Sequence, residues 1–208
     1  MSDLPGVAAF DFDGTLARRD TMVPFLLAAC GRRRLAMAGL ASMHHGVRSG
    51  RDEMKLATVA RLFRGWPESR FHDHGREYAA TLGALLRPAM LERLHWHQAE
   101  GHPVVIVSAS LATYLRPLAR ELSIDDVLAV ELDCDPAGLL TGSVVGGANC
   151  RGAQKVARLR AWLDERYGNG AEVELWAYGD SSGDEELLAF ADHPTWIGRR
   201  AQRAWARG

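Results

Sequence analysis

Asp11 and Asp13 stand two residues apart in the run Phe10-Asp11-Phe12-Asp13-Gly14-Thr15-Leu16, where an apolar strand, Val7 to Phe10, gives way to a turn. Side chains alternate along a strand, so both carboxylates can share one side of its end while Phe12 points to the other. Taken alone, the pair reads equally well as ordinary turn residues. What other strands end in decides between a turn and a site. The strand Val104 to Val107 ends in Ser108-Ala109-Ser110, and the strand Val173 to Tyr178 ends in Gly179-Asp180-Ser181-Ser182-Gly183-Asp184. Lys155 lies near the start of a predicted helix. Gathered together, three or four carboxylates repel one another unless a cation is present, and an all-oxygen site on short loops suits Mg²⁺. Ser108, nearby backbone N–H groups, a helix N-terminus and Lys155 supply what a phosphate needs.

Elements of one kind must place these residues. After the first strand, residues from about Ala17 to Arg87 contain no convincing strand. Met22 to Cys30, Leu35 to Met43, Asp52 to Phe63 and Glu68 to Leu86 carry apolar residues at helical spacing, broken by Gly31, Gly46, Gly50, Gly65 and Pro67. From Pro88 onward helices and strands alternate: helix Met90 to Glu100, strand Val104 to Val107, helix Leu111 to Leu122, strand Val127 to Val130. The order resumes with helix Ala153 to Tyr167, strand Val173 to Tyr178, helix Glu185 to Ala191 and strand Thr195 to Ile197. Nearly continuous apolar strands between helices imply a parallel sheet covered on both faces. In such α/β sheets ligands sit at the carboxyl ends of the strands, where the polar residues fall. Asp135-Pro136-Ala137-Gly138 predicts a type I turn closing a hairpin between Leu132 and Val145.

Composition narrows the class. The chain has 208 residues, 47% hydrophobic and 25% charged, which fits a globular protein with a sizeable core and excludes disordered and fibrous classes. A formal net charge of −1 gives the whole molecule no electrostatic case for binding nucleic acid. Cys30, Cys134 and Cys150 are odd in number and widely spaced, favouring free thiols in a reducing compartment. No signal peptide or membrane-spanning run is visible, and a cytoplasmic location is expected.

These motifs, in this order, resemble the haloacid dehalogenase superfamily of phosphohydrolases, within it the phosphoserine-phosphatase-like branch (subfamily IB) with a helical cap inserted after the first motif. The resemblance rests on Asp11-x-Asp13-Gly14-Thr15, the strand ending at Ser108, Lys155, and Gly179-Asp180-x-x-x-Asp184, and it covers nearly the whole chain. It implies a Rossmann-like three-layer α/β/α core from residues 1–17 plus 88–208, and an all-helical cap from residues 18–87. It implies a Mg²⁺-dependent phosphatase acting on a small phosphomonoester through an aspartyl-phosphate. Asp11 would be the nucleophile and Asp13 the general acid and base. Mg²⁺ would be held by Asp11, the Asp13 carbonyl, Asp180 and Asp184. Phosphate would be bound by Ser108, Ala109, Gly14 and Lys155. Arg151 is the alternative to Lys155; with Arg outnumbering Lys 23 to 2, a lysine at this place stands out. Asp184 has an alternative reading as a first-turn acid favouring the helix dipole.

The resemblance says less about substrate. Asp20 falls where phosphoserine phosphatases carry an acid near the substrate amine. Val59 stands where they place an arginine for the substrate carboxylate, with Arg61 close by but on another helix face, and Gly183 replaces their usual asparagine. Phosphatidylglycerophosphate phosphatases share the motif set and a pattern like Asn149-Cys150-Arg151-Gly152-Ala153-Gln154-Lys155, so a lipid head-group phosphatase is an alternative, as is a phospho-accepting signalling module. The expected partner is a small phosphomonoester. Gly31-Arg32-Arg33-Arg34 could meet an anionic membrane surface, but a solvated helix start is preferred, as solvated charge is for Arg199, Arg200, Arg203 and Arg207. His44-His45 and His95-Trp96-His97 lack a full metal ligand set, and packing is the preferred role for them and for Phe63 and Trp66.

Overall fold

The computed structural model describes residues 4–49 and 51–198, without the side chains of residues 43–53. The His44 and His45 side chains and the tail arginines Arg199, Arg200, Arg203 and Arg207 lie outside the described residues. Short runs of small and β-branched apolar residues form β1 (Gly6–Phe10), β2 (Val104–Leu111), β3 (Asp126–Val130), β6 (Glu174–Gly179) and β7 (His193–Trp196). They make one five-stranded sheet in the order β3-β2-β1-β6-β7, every pairing parallel. Helices α4 (Pro88–Ala99), α5 (Ala112–Glu121), α6 (Ala153–Tyr167) and α7 (Glu185–Phe190) connect and cover it. This is the α/β layered fold expected from the alternation. β1 lies at its centre with Val7 to Phe10 fully buried, so Asp11 emerges from the middle of the sheet.

Two boundaries differ from the sequence reading. β2 runs on through Ser108-Ala109-Ser110 to Leu111, because after a register shift Leu111 pairs again with Val130. The expected break at Gly31 is present: within α1 (Met22–Ser49) Gly31 is non-helical (φ 76, ψ 160), so two helical stretches meet at a kink there. The expected Glu68 to Leu86 helix stops early: α3 covers Glu68–Ala79 and a 3₁₀ turn follows over Leu82–Leu85. Its end is drawn away to pair with the other linker, where Arg18 N–H donates to the Leu85 carbonyl (2.9 Å) and Arg87 N–H to the Leu16 carbonyl (2.8 Å). The segment carrying α1, α2 (Arg51–Phe63) and α3 thus leaves and rejoins the sheet through two linkers that lie side by side.

Aromatic packing seats that segment. Phe25 lies at the middle of a cluster with Phe63 (6.0 Å), Phe71 (6.2 Å), Tyr78 (5.4 Å) and, from α5, Tyr114 (5.1 Å). Each such pair adds about 0.5–1.5 kcal/mol beyond simple burial, so the cluster is a strong anchor. Phe63 and Trp66 are core residues, and Arg70 stacks over the Trp66 ring at 3.9 Å with Arg34 at 5.8 Å. Arg32, Arg33 and Arg34 are all exposed, Arg34 with its guanidinium over Trp66. The antiparallel hairpin β4 (Leu132–Cys134) and β5 (Leu140–Val144) is closed by Gly138 N–H donating to the Asp135 carbonyl at 2.9 Å. The turn between α2 and α3 adds to it: Gly65 N–H donates to the Leu140 carbonyl (2.8 Å) and Leu140 N–H to the Trp66 carbonyl (2.9 Å).

His97, from the His95-Trp96-His97 run, is fully buried against the sheet. Its Nε2 lies 2.8 Å from the Tyr178 hydroxyl and its Nδ1 3.0 Å from His102 Nδ1, a packing role and not a metal site. Burial, with the His102 and Arg93 charges adding, pushes its pKa down to about 4. Unfolded, the ring titrates near 6.5, so between these values the unfolded chain binds more protons and stability falls as pH is lowered. The expected loss is about 2–3 kcal/mol between pH 7 and pH 4. Urea unfolding of wild type and His97→Phe across this range should show the loss in wild type only; parallel profiles would refute it.

Candidate active site

Asp11 directly follows β1 and is fixed by its N–H, which donates to the Tyr178 carbonyl at 2.9 Å. The chain then turns tightly, Ala17 N–H reaching back to the Phe12 carbonyl at 2.8 Å. Gly14 sits at φ 88, and a Cβ there would lie 2.2 Å from the Asp180 carboxylate. Only glycine allows this loop to approach Asp180 so closely. Arg87, where the helical segment rejoins the core, donates its Nε–H to the Gly14 carbonyl at 3.1 Å.

Lys155 enters from the first turn of α6. Its Nζ donates to Asp11 Oδ1 and to Asp184 Oδ1, both at 2.6 Å, with the lysine side chain only 2% exposed. Arg151, the alternative cation, instead donates to the Ser182 hydroxyl at 3.0 Å and lies across Gly183, where a Cβ would stand 2.5 Å from its Nε. Asp184 occupies the N-cap position of α7 without its side chain bonding to that helix. Its Oδ2 accepts the Asp180 N–H (3.2 Å), the Ser181 N–H (3.0 Å) and the Ser181 hydroxyl (2.8 Å), so it organises the preceding loop.

Asp11, Asp180 and Asp184 each offer a carboxylate oxygen, all within 4.8 Å of one another. Three carboxylates face one ammonium. Burial pushes the Asp11 carboxyl up to about 7, outweighing Lys155, and the Asp184 charge adds to the rise. Asp180 is also raised, by burial and by Asp184. Lys155 is held above its ordinary range because Asp11 and Asp184 overcome the effect of its burial. The site thus carries more negative charge than Lys155 neutralises. Hard oxygen donors at this spacing, short of positive charge, fit a divalent cation such as Mg²⁺.

Asp13 sits beside this cluster with different partners. Its Oδ1 accepts the Thr21 N–H (2.9 Å) and Thr21 hydroxyl (2.6 Å), and its Oδ2 accepts the Ser110 hydroxyl. Burial raises its pKa against the pull of the two hydroxyl hydrogen bonds, so the geometry favours a carboxyl that can carry a proton. The Thr21 hydroxyl is in turn 3.2 Å from the Tyr114 hydroxyl. Ser110 and Thr21 were not among the residues picked from the sequence; Ser110 shares a short run with Ser108, and Thr21 carries no signal beyond following Asp20. Ser108 is buried at the register shift of β2, its Oγ accepting the Ser110 N–H at 3.2 Å, with Ala109 half-buried beside it.

Asp20 and Arg61, the expected substrate contacts, have different surroundings. Asp20 caps α1, accepting the Val23 N–H at 3.1 Å, and is exposed. Its nearest cation is Lys55, Nζ to Oδ2 3.9 Å, which was also missed. Arg61 is exposed and lines a surface cavity with Ala57, Ala60 and Arg64 that none of Asp11, Asp13 or Ser108 reaches. Val59 is fully buried. Among the described residues no helix is long and apolar enough to cross a membrane, and Cys30, Cys134 and Cys150 are free thiols.

Comparison with known proteins places the chain in a family. The chain is 35% identical over 200 residues to protein CicA of Caulobacter vibrioides, covering 92% of this chain and 86% of that one. It is 29% identical over 183 residues to phosphoserine phosphatase SerB2 of Mycobacterium tuberculosis, covering 88% of this chain but only 41% of that protein. A substrate-bound phosphoserine phosphatase superimposes with a TM-score of 0.61 at 17% identity, over 92% of this chain and 84% of that one, a likeness of fold. The family profile for haloacid dehalogenase-like hydrolases matches residues 8–189. Since that stretch runs from β1 through α7 and so takes in both acidic strand ends and Lys155, this chain belongs to the haloacid dehalogenase-like hydrolases.

Proposed function

We propose that the protein is a Mg²⁺-dependent phosphatase that hydrolyses a small phosphomonoester through a phosphorylated Asp11. The observation that carries this reading is the Lys155 ammonium bridging Asp11 and Asp184 beside Asp180. Asp11, the Asp13 carbonyl, Asp180 and Asp184 would hold the cation, which when bound lowers the repulsion between an anionic nucleophile and an anionic phosphate. Lys155 orients the Asp11 carboxylate so that an oxygen can approach phosphorus in line. Asp13 gives its proton to the leaving alcohol and, now ionised, takes one from the water that attacks the aspartyl-phosphate. Ser110 and Thr21 hold Asp13 in place for both transfers. Ser108 and the N–H of Ala109 bind phosphoryl oxygens. The segment of residues 18–87 serves as the cap that excludes water.

Phosphoserine is a second reading, favoured by Asp20 and by the phosphoserine phosphatase neighbours. With Val59 buried, Lys55 is the cation nearest Asp20 that could take the substrate carboxylate. Hydrolysis of p-nitrophenyl phosphate should require Mg²⁺, stop with excess EDTA and return when Mg²⁺ is restored. Metal-independent turnover would defeat the proposal, and a screen of amino-alcohol, sugar, nucleotide and lipid head-group phosphates should identify the leaving group.

A further inference from the structure

Where α3 crosses α5, a cleft of about 300 Å³ opens that none of the acids described above lines. Thr113 and Pro117 form part of its wall, Arg76, Arg116 and Arg120 supply guanidinium charge with the His72 ring beside them, and no carboxylate lines it. His72 and Arg76 stand one turn apart on α3, Arg116 and Arg120 one turn apart on α5. Three of these have acid partners outside the lining: His72 Nε2 lies 3.5 Å from Glu68, Arg76 is paired with Asp73, and Arg116 is aligned by a two-pronged contact with Glu131 (3.2 and 2.5 Å). Glu68 and Glu131 line the adjoining hollow. The Arg120 side chain has no hydrogen-bond or ion-pair partner among the described residues, and its repulsion with Arg116 one turn away would be relieved by an anion. The cleft continues past Arg120 toward Asp125 and Asp126, whose carboxylates are already engaged by the Val104 N–H (2.8 Å) and the Trp162 indole N–H (3.0 Å).

The two helices are held at a fixed distance. A Cβ on Gly75 would lie 2.3 Å from the Thr113 carbonyl, so the backbones touch there. The Thr113 hydroxyl donates to the Phe71 carbonyl at 3.2 Å and lies 3.1 Å from His72 Nδ1. The backbones that carry Arg76, Arg116 and Arg120 are therefore set before any ligand arrives. Guanidinium forks bind phosphate oxygens two at a time, and three forks on two facing helices suit two linked phosphates.

We infer that this cleft binds a pyrophosphoryl group, free or carried by a nucleoside, at a site separate from Asp11. Because it joins α3 to α5, the bound ligand fastens the helical segment to the sheet. Titration calorimetry with inorganic pyrophosphate and with adenosine diphosphate, in EDTA so that no metal bridges either ligand to the carboxylates, tests this without any need for turnover. At least one of the two should bind wild type and Asp11→Asn alike, with affinity about tenfold weaker in Arg76→Ala/Arg120→Ala, since each lost guanidinium removes charge-assisted hydrogen bonds. Adenosine diphosphate binding more tightly than pyrophosphate would point to the nucleoside-carried form; equal affinity, to the phosphates alone. Undiminished binding in the double variant, loss of binding in Asp11→Asn, or no heat at millimolar ligand would each overturn the inference. Both substituted arginines are exposed, so thermal unfolding should confirm an intact fold.

Discussion

Asp11→Asn should reduce hydrolysis of an aryl phosphate by on the order of 10⁴-fold or more, because the amide cannot form the covalent intermediate on which the proposed reaction depends. The fold should survive. Asparagine fills the same volume and its oxygen can still accept the Lys155 proton now given to Asp11 Oδ1 at 2.6 Å. Without metal, the variant should even gain stability at neutral pH. Burial raises the Asp11 carboxyl to about 7, so the folded protein binds a proton there that the unfolded chain releases near 3.8. That favours the fold below pH 4 and is lost as pH rises toward 7. The effect runs opposite to that of His97 over the same range, so each must be read against its own variant. Stopped-flow or steady-state rates, with urea unfolding in EDTA at pH 5 and pH 8, would check both parts. Full activity in Asp11→Asn would remove the proposed nucleophile.

Lys155→Met should have the largest effect on stability of any single change in the site. It leaves Asp11 and Asp184, each nearly fully buried, without their shared cation. Removing one partner of a buried ion pair costs about 3–5 kcal/mol, far more than the pair itself contributes over an apolar replacement. The cost should shrink at pH 5, where Asp11 takes up a proton, and Mg²⁺ should stabilise the variant more than it stabilises wild type, since the cation then meets the whole negative charge. Turnover should fall by about 10²–10³-fold even with Mg²⁺ saturating, because a donor to the phosphoryl oxygens is gone. Urea midpoints with and without Mg²⁺ measure the first effect; a change below about 1 kcal/mol in EDTA would contradict the charge balance described for this site.

The parts of the site that sequence conveyed are those where residue type and position coincide. Asp11, Asp180 and Asp184 sit at the ends of apolar strands, and strands of that kind have few places to go but the middle of a parallel sheet. Lys155 is distinguishable from Arg151 by rarity, and it is Lys155 whose ammonium meets Asp11 and Asp184, while Arg151 meets Ser182. Other features left no trace. Ser110 and Thr21 are small hydroxyl residues whose importance lies in meeting the Asp13 carboxylate across the fold, a tertiary fact without periodicity. The run Ser108-Ala109-Ser110 resembles a turn, yet the strand persists because Leu111 finds Val130. The early end of α3 depends on its linker pairing with residues some seventy positions earlier, which no local propensity reports. The segment after Asp13 is legible as helical and not as a surface, so sequence position alone singles out Asp20 and Arg61, which have different surroundings in the fold.

The stitched contact between the α2–α3 turn and the hairpin bears on how the protein stays dispersed. Gly65 and Trp66 occupy backbone groups on the outer edge of β5, and an isolated two-stranded ribbon with that edge bare is a template for a neighbouring chain. The side-by-side linkers would let Leu16 be rejoined to Pro88 by a short bridge. A protein shortened in this way would gain a naked strand edge together with the uncovered Tyr114 ring on α5, and self-association, more than loss of the sheet, would limit its survival in solution.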